Sequence, residues 1–537
     1  MPPKGDDESW RVGIQSCDAF HIRSDPSLVP RVQRQAGTSP NPTVQTEPVI
    51  KHPADLLFTG GAVFVGRDEP SRSAVAVRAG RIVAVGADEA TDITGPSTQV
   101  VDLAGGLLIP GFQDAHVHPL LGGLKRMRCD LSQHDTREDY LAAVRAYADA
   151  HPQEPWIGGG GWAVGAFPGG TPTAADLDAV VPDRPVFLPN RDIHSAWVNS
   201  RALALSGIDR HTPDPADGRI ERDETGSPAG TLHEGAMALV GRLLPDDTAG
   251  DLLAALLEAQ RYLHSLGITA WQDAIIGVYA DIPDGAQTYL AAVDQGLLTA
   301  RVVGALWWRR DAGPEQVAEL VERRREVSRR RFQATSVKIM QDGVPENFTA
   351  GMLEPYLDGC GCSTTNRGLS FVDPLALRHN VTALDLAGFQ VHVHAIGDRA
   401  VREALDAFEA ARGANGANDH RHHIAHVQVV HPDDLPRFAA LGVTANMQAL
   451  WAAYEPQMVD MTMPFLGEER SGWQYPFAAI AASGAALAAG SDWPVSSPDP
   501  LLGIHVAVNR RLPDELGGEG WPAFLPGQAL DVRTALT

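Results

Sequence analysis

GFQDAHVHPLLGG, residues 111–123, decides the fold. It carries His116 and His118, two imidazoles one residue apart. In an extended strand the side chains at i and i+2 point the same way. His116 and His118 at a strand end would therefore grip one cation from one side. The run that leads in, GGLLIPGF, is apolar and reads as a buried strand entering a turn. An H-x-H pair also arises from plain packing, so its weight depends on what the later strands bring to the same point.

Downstream of residue 110 short β-branched runs alternate with amphipathic helical segments, the mark of βα units and a parallel sheet. Eight strands are predicted: GFQDAHVH (111–118), GITAWQDA (267–274), ARVVGALWW (300–308), TSVKIMQDG (335–343), FQVHVHAIG (389–397), HHIAHVQ (422–428), GVTANMQ (442–448) and AALAAGSDW (485–493). Helical segments lie between most of them, such as DLLAALLEAQRYLHSL before the second and RAVREALDAFEAARG after the fifth. Eight such units close into a (β/α)8 barrel, an α/β fold whose chemistry sits at the C-terminal strand ends.

Upstream, DLLFTGGAVF, SAVAVRAGRIVAVG and TQVVDLAGGLLIP are short strands separated by turn residues, and residues 54–109 read as part of a small β-domain. Residues 1–53 are polar, Pro-rich and aperiodic, and read as a flexible leader. The barrel domain then runs from 110 to 537. The gap between its first two strands is too long for one helix, and about 135–245 is predicted to be an insertion folding over the barrel mouth, where insertions shape the pocket. The basic run ERRREVSRRRF, 322–332, reads as a solvated outer helix face.

Lys and Arg number 44 against 67 Asp and Glu, a formal net charge of −23, which argues against nucleic acid or an anionic membrane as partner. No apolar run reaches the roughly 18 residues of a membrane-spanning helix. The first thirty residues lack an apolar signal core. Cys17, Cys129, Cys360 and Cys362 form no C-x-x-C pair and read as reduced thiols of a cytoplasmic protein. The balance fits an enzyme acting on a small molecule.

Each candidate ligand falls at the C-terminal end of a predicted strand. In FQVHVHAIG, His392 and His394 share a face, and His394, nearer the strand end, is the expected ligand. His392 is left a supporting role beneath it. In HHIAHVQ, His422 and His426 share a face with His423 opposing them, and His426 is the expected ligand. Four imidazoles at strand ends satisfy the ligand set of zinc-type metals. Asp492, in GSDWP, can bind a cation and also accept a proton. Lys338, in SVKIM, is costly in a buried strand unless paired or neutral. A neutral amine there would capture carbon dioxide, and the carbamate would bridge two cations. The alternative is an ammonium paired with Asp342.

The set DAHVH, SVKIMQDG, VHVHAIGDRA, HHIAHV and AAGSDWP resembles the amidohydrolase superfamily. The phrases DIHSAWVNSRAL and GSPAGTLHEGAM resemble its YtcJ-like branch, which includes N-substituted formamide deformylase. The resemblance implies a metal-dependent hydrolase on a TIM-like barrel with a composite β-sandwich domain. It implies one or two divalent ions, zinc foremost, held by His116, His118, Lys338 (carboxylated), His394, His426 and Asp492. It also implies chain beyond the eighth strand that completes the β-domain, so the stop at GQALDVRTALT reads as a missing C-terminal end.

The expected reaction is hydrolysis of a non-peptide C–N bond, an amide or formamide, with Asp492 moving the proton. His194, in RDIHSAWVN, is the candidate for holding the carbonyl oxygen. Deamination of a ring amine or lactone opening would use the same site, and a non-catalytic barrel scaffold is the competing class. Trp307, Trp308, Trp451 and Trp493 follow strand ends, and Trp162 and Trp197 lie in the insertion. Indoles at a barrel mouth predict an apolar or aromatic substrate, with Trp451 the first choice as a wall. A homodimer is the expected assembly.

Overall fold

The computed structural model describes residues 52–132, 134–167, 170–191, 195–215, 218–279, 283–310 and 312–537. Residues 1–51, which hold most of the expected leader and Cys17, lie outside this set, as does His194. Two compact units are described, one spanning 52–112 with 536–537, the other 113–535.

In the first unit Leu56–Thr59 pairs antiparallel with Val75–Arg78 and parallel with Gln99–Asp102, and Arg81–Val85 completes a four-stranded sheet. Alanines at 54, 74, 76, 84 and 90 pack one face, where the helix Ala87–Thr91 lies. Val63, Val75 and Val77 fill the other, with Leu108 of the two-stranded ribbon Ala62–Val63/Leu107–Leu108 packed against them. The small residues on the helix side let the helix approach closely, and the β-branched residues suit the pleated side.

The second unit contains the eight-stranded parallel sheet, nearly closed into a barrel. Its strands are β1 (Phe112–Val117), β2 (Ile268–Ile276), β3 (Arg301–Trp307), β4 (Phe332–Met340), β5 (Gln390–Ala395), β6 (His423–His426), β7 (Thr444–Met447) and β8 (Leu487–Ala489). All eight predicted strands are present, in sequence order around the barrel. β4 lies three residues earlier than its predicted start. Gln341, Asp342 and Gly343 leave the sheet because the Asp342 carboxylate accepts N–H groups from Gly351, Ile396 and Gly397 at 2.8–3.0 Å, gathering the loops above β4 and β5.

No ladder joins β8 to β1; side chains and single backbone bonds close the gap. Asp114 accepts the Ser491 N–H at 3.0 Å and its hydroxyl at 2.6 Å, and the Asp492 N–H donates to the His116 carbonyl at 2.7 Å. Gly490 makes this approach feasible, since a Cβ there would stand 2.6 Å from the His116 Cβ. Helices wrap the barrel with their apolar faces inward. Ala249–Ser265 is started by a capping box between Thr248 and Asp251 and buries Leu256, Ala259 and Leu263. Pro374–Leu386 is capped by Asp373.

Between β1 and β2 the chain builds a second, six-stranded sheet that runs from Cys129–Asp130 to Gly218–Arg222. Its two faces carry separate apolar cores. Its last strand, Pro228–Glu234, reaches the loop above β4, where Asn347 donates its side-chain amide to Glu234 at 3.1 Å. Among the described residues no helix is long and apolar enough to cross a membrane.

Candidate metal centre at the barrel mouth

His116 and His118 alternate along β1 and project together at its C-terminal end. Asp492, just past β8, meets both: its Oδ1 lies 3.3 Å from His116 Nε2 and 3.0 Å from His118 Nε2. Ligand atoms of these three residues fall within 4.8 Å of one another. Lys338, inward-facing on β4, places Nζ 3.4 Å from His116 Nε2. His394 and His426 adjoin the group, their rings 4.4 Å apart, with His426 4.9 Å from His116. The six expected ligands thus form one contiguous cluster. The expected carbonyl-holding residue, His194, lies outside the described residues.

The electrostatics follow from burial. Lys338 is 3 % exposed, and loss of water pushes its ammonium down to about 7. Among the described residues no carboxylate pairs with it: the alternative partner, Asp342, accepts from the three loop N–H groups. Burial, with Lys338 nearby, pushes His116 down to about 3 and holds His394 well below the ordinary imidazole range. His426 is held well below that range by burial and by His394. Burial alone would raise Asp492, but His116 and His118 outweigh it and hold the carboxyl well below the usual range. Neutral imidazoles, a carboxylate and an amine close to losing its proton form a donor set suited to a zinc-type cation.

Three nitrogens of the cluster, His118 Nδ1, His394 Nε2 and His426 Nδ1, are buried without a hydrogen-bond partner. Orphaned polar atoms are rare in protein interiors, and three at one point fit a group that completes them. The backbone is strained at the same place: His426 has φ 78°, Val427 42° and Asp492 57°, all in the left-handed region. Non-glycine residues are held there only where the surroundings over-determine them.

That strain corrects one expectation. Strict alternation sets His423 opposite His426, with His422 beside the ligand. Instead His423 points into the barrel, its ring 4.1 Å from His392, while His422 stacks outward on Phe408 and donates Nε2–H to Asp385 at 2.9 Å. The turn at His426 breaks the two-residue period and brings its ring back to the inner side. His392 holds the supporting position, its Nε2 3.0 Å from His116 Nδ1. Gln272 on β2, Asn446 on β7 and His423, not singled out in the sequence, form a buried polar layer below the cluster. The available signal was a polar residue within each otherwise apolar strand.

The indoles divide. Trp162 and Trp197 are packed edge-on in the core of the second sheet, with Phe167 against both. Trp493 packs on Tyr262. None of these three is free to wall a pocket. Trp451 lies flat on His426, and Trp307 meets Tyr279 above β3.

A (β/α)8-type barrel with imidazoles, a carboxylate and a buried lysine at its C-terminal face is the frame of a metal-dependent hydrolase. Comparison with known proteins agrees: a family model described as amidohydrolase family matches residues 99–537. The chain is 31% identical over 497 residues to Protein LONG AFTER FAR-RED 3 of Arabidopsis thaliana, covering 90% of this chain and 82% of that one. It is 29% identical over 487 residues to the putative amidohydrolase YtcJ of Bacillus subtilis (strain 168), covering 89% and 88%. Among solved structures, a metal-dependent hydrolase from Pyrococcus furiosus superposes with a TM-score of 0.67 at 25% identity, covering 89% of this chain and 92% of that chain. The chain belongs to the amidohydrolase family.

Proposed function

We propose that the protein hydrolyses a C–N bond other than a peptide bond, an amide or formamide, on a small apolar or aromatic substrate. The observation that carries this is the meeting of His116, His118 and Asp492 beside the buried amine of Lys338, with three orphaned imidazole nitrogens around them. His116, His118 and Asp492 would hold one divalent ion, zinc foremost. His394 and His426 would hold a second, with Lys338, carboxylated, between them. When bound, such an ion supplies Lewis acidity, easing deprotonation of water and polarising the substrate carbonyl.

The residues do the rest. Asp492 takes a proton from the attacking water and returns it to the leaving nitrogen. Water oxygen adds to the carbonyl carbon, the C–N bond breaks, and a carboxylic acid and an amine leave. His194 holds the carbonyl oxygen, and Trp451 walls the substituent. The exposed, unpaired thiols of Cys360 and Cys362 fit a cytoplasmic, reducing setting. The test is metal analysis of the purified protein together with a panel of N-acyl and N-formyl amines. Stoichiometric metal with turnover of amides is the expected result; turnover confined to ring amines or lactones would replace this reading, and absence of metal would overturn it.

A further inference from the structure

We infer that Asn446, His423, Gln272 and His392 form a directed hydrogen-bond relay that fixes the tautomer of His116, leaving its Nε2 lone pair free for a cation. The inference rests on the metal reading above and adds to it how this chain prepares its first ligand before any ion arrives.

The direction of the relay follows from one backbone carbonyl. The Ala115 oxygen only accepts, so the Asn446 side-chain nitrogen, 2.9 Å away, donates to it. The Asn446 oxygen is occupied in turn: Gln448 donates to it at 3.2 Å and to the Gly490 carbonyl at 3.4 Å. Both ends of the Asn446 amide are therefore assigned. Its second proton points at His423 Nδ1, 3.2 Å away, which must be the unprotonated nitrogen. A neutral imidazole then carries its proton on Nε2.

His423 Nε2 lies 3.4 Å from Gln272 Nε2, and that atom is also 3.3 Å from His392 Nδ1 and 3.0 Å from Ser336 Oγ. Placed there as nitrogen, it would confront a proton already on His423. Hydrogen bonding calls for the amide turned end for end, with oxygen at that point. The oxygen accepts from His423 Nε2 and from His392 Nδ1. His392 Nε2 is then the lone-pair nitrogen and accepts from His116 Nδ1 at 3.0 Å. His116 is left with an unprotonated Nε2 facing Lys338 Nζ and Asp492 Oδ1. Every member is buried: Asn446 and His392 are 0 % exposed and Gln272, the most exposed, 9 %. Groups behind a metal ligand that set its tautomer typically change metal affinity 10–100-fold.

The test compares two substitutions of equal charge and nearly equal shape. Asn446→Asp replaces the fixed donor by an acceptor, so His423 turns its proton to Nδ1, the relay reverses, and the proton arrives on His116 Nε2. Gln272→Glu offers carboxylate oxygen to both imidazole N–H groups and keeps the direction. The dissociation constant for cobalt(II) is measured on the full chain by chelator competition, with the cobalt absorption band and the melting temperature of the metal-free protein followed alongside. Asn446→Asp is expected to weaken cobalt binding about 10–100-fold. Gln272→Glu is expected to bind at least as tightly as the parent, and both metal-free proteins to melt near it. Tightening in both variants would make added charge the cause, and equal weakening would make packing the cause; either overturns the relay. A parent protein that takes up no cobalt overturns the metal reading itself. Should Asn446→Asp not fold, His423→Gln, which still accepts and donates, is expected to keep affinity that His423→Leu loses, and equal loss in the two overturns the relay.

Discussion

Trp451 lies flat against His426: the ring centroids are 5.4 Å apart and the planes 6° from parallel. The indole thus supports an expected ligand on one side and stands at the end of β7 on the other. On the proposed reading, Trp451→Ala removes an aromatic wall worth on the order of 1–3 kcal/mol in transition-state binding, roughly ten- to a hundredfold in kcat/KM. The loss should be far larger for bulky aromatic amides than for small formamides. Steady-state kinetics on both substrate types check this, and an equal fall for both, or N-acyl amino acids as the best substrates, would rule out the aromatic pocket.

The imidazoles of His116 and His118 both meet the Asp492 carboxylate. His116→Ala and His118→Ala should each abolish metal retention and turnover together. Metal content after gel filtration, measured beside activity, is the readout. Activity surviving in a metal-free His118→Ala protein would refute a metal mechanism.

The proposed reading has Lys338 react with carbon dioxide, and burial pushes its ammonium down to about 7. The neutral amine is the reactive form, so its fraction rises as pH rises through that value. Reactivation of metal-stripped protein by bicarbonate and metal should therefore quicken from slightly acid to slightly alkaline pH. Lys338→Ala should lose most activity, with partial rescue by short carboxylates. Mass or diffraction data showing a free amine beside a single fully occupied metal would exclude the bridged arrangement.

Asp385, at the end of the helix Pro374–Leu386, ties down the chain that enters β6. It accepts from Asn415, Asn418, His420 and His422 at 2.7–2.9 Å. Burial alone would raise its carboxyl, but these four donors outweigh it and hold it at about 2. A carboxyl lowered on folding adds stability above its unfolded value of roughly 4 and loses it as pH falls through 2. Asp385→Asn should cost about 2 kcal/mol at neutral pH, and the gap from the parent should close as pH falls from 4 to 2. Denaturant unfolding at stepped pH measures it, and a gap that stays constant across that range would contradict the assignment.

The barrel and most of its chemistry are legible in one dimension because both obey short periods. Side-chain alternation alone puts His116 beside His118, and His394 two places above His392. A lysine inside the apolar run SVKIM stands out because burying an unpaired ammonium is expensive. These are local properties, and the folded chain keeps them. Partner choice is not local. Lys338 and His116 meet across 222 residues of sequence. The left-handed turn at His426 reverses which of the neighbouring histidines faces inward, and no residue period announces it. Six indoles look alike in the sequence, yet three are consumed by packing and one lies flat on an expected ligand. The hydrogen-bond direction at His116 is set by the Ala115 carbonyl through four side chains on four different strands, a relation that exists only once the barrel has closed. Closure in turn depends on Asp114 reaching Ser491 and on the missing side chain of Gly490. Sequence determined which groups could act; tertiary structure decided which atoms face each other, because a buried polar atom finds its partner through the geometry of the whole sheet and not through its neighbours in the chain.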